Sequence, residues 1–150
     1  VGNLIHVVTI YTDGSCIGNP GPGGWAAILM SKGRKKEICG GNVYTTNNQM
    51  ELEAVVSALS CLLKPCKVTI YTDSQYVCNS VNLGWLDNWK HNGWRNSSGK
   101  LKNLELWIKL DKFRNIHDIN FIWVKGHSDN PFNNRCDQIA KAEAYKRCNK

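Results

Sequence analysis

The chain has 150 residues, 42% hydrophobic and 21% charged, which suits one soluble domain with a real core. No apolar run reaches the ~18 residues of a membrane span, no charged stretch leads an apolar secretion signal, and a cytoplasmic location is expected. The net charge of +7 and pI of about 9.1 suit an acidic polymer as partner, although basicity alone is weak evidence.

In chain order, Leu4 to Thr9 climbs through β-branched residues into Ile10-Tyr11-Thr12-Asp13, a strand that ends on a carboxylate. The same four residue types return at Ile70-Tyr71-Thr72-Asp73. Strand side chains alternate faces, so Asp13 shares a face with Tyr11 and Thr9, and Asp73 with Tyr71 and Thr69. Parallel neighbours in register would set the two carboxylates side by side at the C-terminal edge of a sheet, ~4.8 Å apart. Two ionised carboxylates at about 4 Å repel by about 4 kcal/mol at an effective dielectric of 20. A divalent cation converts that repulsion into binding, and the C-terminal edge of an open sheet is where α/β proteins place their sites.

Gly14 to Gly24 reads as a loop rich in backbone N–H groups; no Gly-Lys-Ser/Thr follows, so it is not a Walker phosphate loop. Trp25 to Met30 is a second strand, and Arg34 to Tyr44 a third, antiparallel to it, with a turn near Lys32-Gly33. Asn47 to Leu63 is the clearest helix, capped by Asn47 or Thr46 and stopped by Lys64-Pro65. Its inward arc holds Leu52, Val55, Val56, Leu59, Leu62 and Leu63. Glu51 falls at the edge of that arc, where a carboxylate is costly without a partner. It becomes the third member of an acidic cluster, while Glu53 faces solvent.

Gln75 to Val81 is a short helix. In the following segment Trp85, Trp89 and Trp94 are interleaved with Lys90, Arg95, Lys100 and Lys102. Trp85 and Trp89 lie one helical turn apart and would share a face. Aromatic faces beside cations hold base, sugar and phosphate together, and at least one tryptophan is expected to anchor the segment to the core. Leu104 to Phe113 is a helix and Ile119 to Val124 the final strand. A polar loop from Lys125 to Pro131 carries His127. The last helix, Phe132 to Lys146, turns Asp137 toward the body of the protein as a fourth inward carboxylate. The seven cysteines form no Cys-x-x-Cys, which argues against a zinc site or disulfide framework and for reduced thiols.

Five motifs together are specific: Tyr-Thr-Asp-Gly-Ser-Cys at 11–16, Thr-Asn-Asn-Gln-Met-Glu at 46–51, Tyr-Thr-Asp-Ser-Gln-Tyr at 71–76, Trp-x-x-x-Trp-Lys at 85–90, and Gly-His-Ser at 126–128 with the later Asp137. Over nearly its whole length the chain resembles the type 1 ribonucleases H of the bacterial kind. The resemblance implies a single catalytic domain over 1–150 and an α/β fold, with a five-stranded mixed sheet of order 3-2-1-4-5 flanked by helices and a basic protrusion. It implies an endonuclease that cuts the RNA strand of RNA–DNA hybrids as a monomer, leaving 5′-phosphate and 3′-hydroxyl ends. Asp13, Glu51, Asp73 and Asp137 would hold two Mg²⁺ ions about 4 Å apart, with Mn²⁺ as a substitute, and His127 would shuttle a proton. Cys16, Asn19, Asn47, Asn48 and Gln75 would line the minor groove, where 2′-hydroxyls separate RNA from DNA. Thr46 would bind a DNA phosphate, and the segment from Trp85 to Lys102 would grip the DNA strand. Two residues depart from the family pattern: Asn134 stands where a Glu is usual and Asp129 where Gly or Ala is, which bears on metal affinity and pH optimum. The rival readings are a non-catalytic hybrid-binding module, a related nuclease acting on DNA, and a domain excised from a reverse transcriptase.

Overall fold

A computed structural model describes residues 6–126 and 129–148. Strands β1 (His6–Cys16), β2 (Gly21–Ser31) and β3 (Arg34–Thr45) form an antiparallel meander. Helix α1 (Asn47–Ser60) then crosses over to β4 (Cys66–Thr72), which pairs with β1 in parallel. Next come α2 (Gln75–Asn82), α3 (Trp85–His91), a small hairpin of β5 (Arg95–Asn96) and β6 (Gly99–Lys100), and α4 (Leu104–Arg114). Strand β7 (Asp118–Trp123) adds to β4 in parallel, and α5 (Pro131–Lys146) closes the fold. The main sheet runs β3-β2-β1-β4-β7, which is the expected order once the hairpin strands are numbered.

The period-two pattern sorts the side chains into two layers. Val8, Ile10, Ala27, Leu29, Val68 and Ile70 face the helix α1 and α4 side, where Leu52, Val55, Leu59, Trp107 and Leu110 complete the larger core. Ala26 and Ile28 face α5 and pack on Cys136 and Ala140, with Tyr11 and Phe132 at the margin. The echoed tetrapeptides pair in strict register, Ile10 with Ile70 and Tyr11 with Tyr71, and the two tyrosine rings stack at 5.1 Å.

Two expectations are corrected. The stretch from Gly14 to Gly24 is mostly strand: β1 runs on to Cys16 and β2 begins at Gly21. Its glycines permit close approach of helices. A Cβ on Gly24 would lie 2.3 Å from the Ala140 carbonyl oxygen of α5, and one on Gly14 would lie 2.5 Å from the Glu51 nitrogen of α1. Helix α1 also ends at Ser60, earlier than its apolar arc suggests, and leaves Leu63 95% exposed. Thr46 is the cap, its hydroxyl accepting from the Gln49 N–H at 3.2 Å.

Candidate active site

Asp13 and Asp73 leave the C-terminal ends of the paired strands β1 and β4, and Glu51 comes from the second turn of α1, across the sheet edge. One carboxylate oxygen from each lies within 4.8 Å of the others. Asp13 and Glu51 are buried, 7% and 6% exposed. Asp137, from α5, lines the same cleft but stands outside this tight trio. Its carboxylate pairs with Lys141 at 3.1 Å. The cleft has a volume of about 110 Å³, and Thr12, Gly14, Lys125, Gly126, Asn133 and Asn134 also line it.

Backbone geometry fixes the trio. The Gly14 N–H is shared between the Asp13 and Glu51 carboxylates. The Thr72 hydroxyl donates to Glu51 Oε2 at a long 3.5 Å and accepts from the Ser74 N–H at 3.1 Å. Trp123 of β7 donates from Nε1 to the Asp73 carbonyl at 3.0 Å, holding the end of β4 in place. Because Gly14 sits against the α1 backbone, Gly14→Ala is expected to cost about 1–3 kcal/mol of stability or more. Its activity should fall further than its folded fraction, because the added Cβ pushes the α1 backbone at Glu51 away from the N–H that holds its carboxylate. Chemical denaturation alongside initial-rate assays checks both.

Electrostatics set the character of the site. Burial pushes the Asp13 carboxyl up to about 7, opposed by its hydrogen bond with Glu51 and assisted by the charges of Asp73 and Asp137. Burial, followed by the charge of Asp13, holds Glu51 well above the usual carboxylate range. Crowded, desolvated carboxylates resist ionising together. The donor set is all oxygen, which suits hard divalent cations such as Mg²⁺ or Mn²⁺. Asn133 gives an independent sign of a polar occupant: among the described residues, neither its Oδ1 nor its Nδ2 has a partner, and both atoms are buried. Buried amides left unpaired in this way point to water or an ion in the native site. The residues therefore fit a divalent metal centre.

A second, wider groove of about 870 Å³ opens nearby. Asn19, Thr46, Asn47 and Asn48 form one wall, and Tyr76, Trp89, Lys100 and Lys102 contribute to the other. Asn19 Oδ1 accepts from the Asn47 N–H at 2.9 Å, joining the β1–β2 turn to the start of α1. Cys16 ends β1 half-buried, its thiol donating to the Thr45 carbonyl at 3.2 Å. Gln75 opens α2 and is exposed.

In the Trp-rich segment Trp85 and Trp89 lie one turn apart on α3, as expected, but differ in burial. Leu86 is fully buried and sets the inward side of α3; Trp89, three residues on, packs edge-on against Trp107 at 5.4 Å, while Trp85 is left 42% exposed. Trp94 is half-buried against the same core, and Arg95 is exposed. Lys90 pairs with buried Asp111 at 2.9 Å. His127 lies outside the described residues. Sequence reasoning missed Gly14 as the holder of two carboxylates, and it missed Asn133. The signal for Asn133 was its position four residues before Asp137, on one face of α5.

The ribonuclease H family profile matches residues 6–145. A ribonuclease H of Bradyrhizobium diazoefficiens is 56% identical over 138 residues, 91% of this chain and 89% of that one. Among solved structures, LC9-RNase H1, a type 1 RNase H with the type 2 active-site motif, superposes with a TM-score of 0.85 at 26% identity, over 98% of this chain and 76% of that one. A foamy viral protease–reverse transcriptase in complex with RNA/DNA hybrid superposes with a TM-score of 0.78 at 25% identity, over 94% of this chain and 20% of that one. Sequence, topology and the clustered carboxylates agree, and the chain belongs to the ribonuclease H family.

Proposed function

We propose that the protein hydrolyses the RNA strand of RNA–DNA hybrids endonucleolytically, leaving 5′-phosphate and 3′-hydroxyl ends, with the chain acting as one catalytic domain. The observation that carries this reading is the trio of Asp13, Glu51 and Asp73 within 4.8 Å, next to an asparagine-lined groove. The hybrid bound in the foamy viral neighbour supports the choice of substrate.

In this reading Asp13, Glu51, Asp73 and Asp137 hold two Mg²⁺ ions, with Mn²⁺ as a substitute. When bound, such ions supply a nucleophilic water at neutral pH and offset charge on the leaving oxygen. The protein's own residues do the rest. Gly14 orients Asp13 and Glu51 through one shared N–H. His127 moves a proton to or from the leaving group. Cys16, Asn19, Asn47, Asn48 and Gln75 read 2′-hydroxyls, which separates RNA from DNA. Thr46 takes a DNA phosphate, since its hydroxyl accepts from the Gln49 N–H in the cap and still has its own proton to donate. Trp85, Trp89, Trp94, Arg95 and Lys100 grip the DNA strand. The reading takes the protein to be a cytoplasmic monomer.

Lys90 is reassigned within that grip. Its ammonium serves buried Asp111, so Lys90→Ala is expected to lose about 1–3 kcal/mol of stability with little change in the salt dependence of hybrid binding. Arg95→Ala with Lys100→Ala should leave stability intact and reduce the salt slope by about one per phosphate contact removed. Denaturation midpoints and binding measured between low and moderate salt separate the two.

The test of the function is cleavage of an end-labelled RNA–DNA hybrid, with and without chelator, beside duplex RNA, duplex DNA and single strands. Chelator-sensitive cuts confined to the RNA of the hybrid are expected. Cleavage of DNA, or binding without cleavage, contradicts the proposal.

A further inference from the structure

We propose that Asp87 and Arg114, together with Lys90 and Asp111, set the register of α3 on α4 and so position one wall of the wide groove. This rests on the hybrid's lying in that groove, as the proposed function has it. The wall includes Trp89 of α3, Asn96 and Lys100 of the small hairpin, and Lys102. Helix and hairpin are joined directly, since the Trp94 N–H donates to the Trp89 carbonyl at 2.6 Å. Wherever α3 sits, the wall follows.

The backbone leaves the placement of α3 open. The helix hangs between Gly84 and Gly93, both in the left-handed region at φ 79° and 73°, and a Cβ on either would meet nothing within 4 Å. Apolar contacts hold α3 down: Leu86 is fully buried, and Trp89 packs edge-on against Trp107 of α4 at 5.4 Å. Burial of this kind is non-directional, and it does not by itself fix where α3 lies along α4.

The charges supply the direction. Asp87 and Lys90 stand about one turn apart on α3, as do Asp111 and Arg114 on α4. Arg114 Nη2 donates to Asp87 Oδ1 at 2.7 Å, and Lys90 Nζ lies 2.9 Å from Asp111 Oδ2. The two pairs therefore run in opposite chain order, and each helix contributes one charge of each sign. A slip of one turn, ~5.4 Å, brings Asp87 to Asp111 in one direction and Lys90 to Arg114 in the other. Either slip replaces attraction with a like-charge contact, which is how charge patterns reject wrong alignments. The Asp87 pair is exposed enough to add little to stability. Among the described residues, however, Arg114 pairs with no other carboxylate. Asp87 and Arg114 are thus positioning residues, acting on the substrate through Trp89 and the hairpin.

The test compares hybrid cleavage by Asp87→Arg, Arg114→Asp and the double variant that exchanges the two. Charge alone moves the single variants in opposite directions: Asp87→Arg adds positive charge near an anionic substrate and tightens binding, whereas Arg114→Asp weakens it. A register set by these pairs instead makes both variants raise KM at least about fivefold with kcat within about twofold, and the exchange returns KM to near wild type. The Trp89 and Trp94 indole N–H resonances of the substrate-free protein should shift in both single variants and return in the exchange, which reads the wall without any substrate. Indoles unmoved in the single variants, KM shifts of opposite sign, or an exchange no better than either single variant would overturn the proposal. A wild-type protein that leaves the hybrid uncut would count against the proposed function, and the indole resonances would still decide the register.

Discussion

Asp13→Asn is expected to lower hybrid cleavage by at least about a thousandfold, roughly 4 kcal/mol of lost transition-state stabilisation, while leaving hybrid affinity nearly unchanged. The asymmetry follows from geometry. Asp13 is buried at the end of the central strand, within 4.8 Å of Glu51 and Asp73, whereas the groove proposed to receive the substrate is lined by other residues. The amide keeps the size and the hydrogen bond from the Gly14 N–H but removes the charge on which metal ligation depends. Single-turnover cleavage combined with filter binding reads both quantities. Cleavage close to wild type would remove Asp13 from the metal centre.

The second large effect concerns stability. Without metal, the protein should become less stable as pH rises from about 4 to about 8, through its carboxylate cluster. Asp13 titrates near 3.8 when unperturbed and near 7 in the fold, raised first by burial; Glu51 moves in the same direction for the same first reason. A group whose folded pKa is raised contributes stability below its unfolded value and loses it as pH climbs through the folded one. His117 acts in the opposite sense. Its Nδ1 accepts from the Cys66 N–H at 3.0 Å, burial lowers its pKa, and its contribution is lost as pH falls below about 6.5. The cluster is isolated by comparison with Asp13→Asn. The difference in melting temperature between the variant and the wild type, measured in chelator, should favour the variant increasingly between pH 5 and pH 8. Adding Mg²⁺ or Mn²⁺ should raise the wild-type melting temperature and leave the variant's almost unmoved, since a ligand specific to the fold stabilises it by mass action. Parallel melting curves for the two proteins at all pH values would contradict the account.

The strand pair and its carboxylates were legible in the sequence because a repeat of four residue types carries its own register: Ile10 pairs with Ile70 and Tyr11 with Tyr71, as alternation requires. Glu51 was legible because a helical wheel places a carboxylate beside an apolar arc at an evident cost. The glycine stretch was misread because local composition says turn, while the reason for Gly14 and Gly24 lies in helices 37 and over a hundred residues away. The pairing of Lys90 with Asp111 was hidden for the same reason: a cation among tryptophans looks like a nucleic-acid contact until its partner on another helix is known. Leu63 shows the limit of periodicity alone, since the hydrogen bonds that close α1 stop the helix before the apolar pattern does.

The most direct measurement is an anomalous difference map from crystals of the wild-type protein grown with Mn²⁺. Peaks bounded by Asp13, Glu51 and Asp73, with Asp137 at the outer side, are expected. Strong peaks elsewhere with none between those carboxylates, at a concentration that supports cleavage, would contradict it.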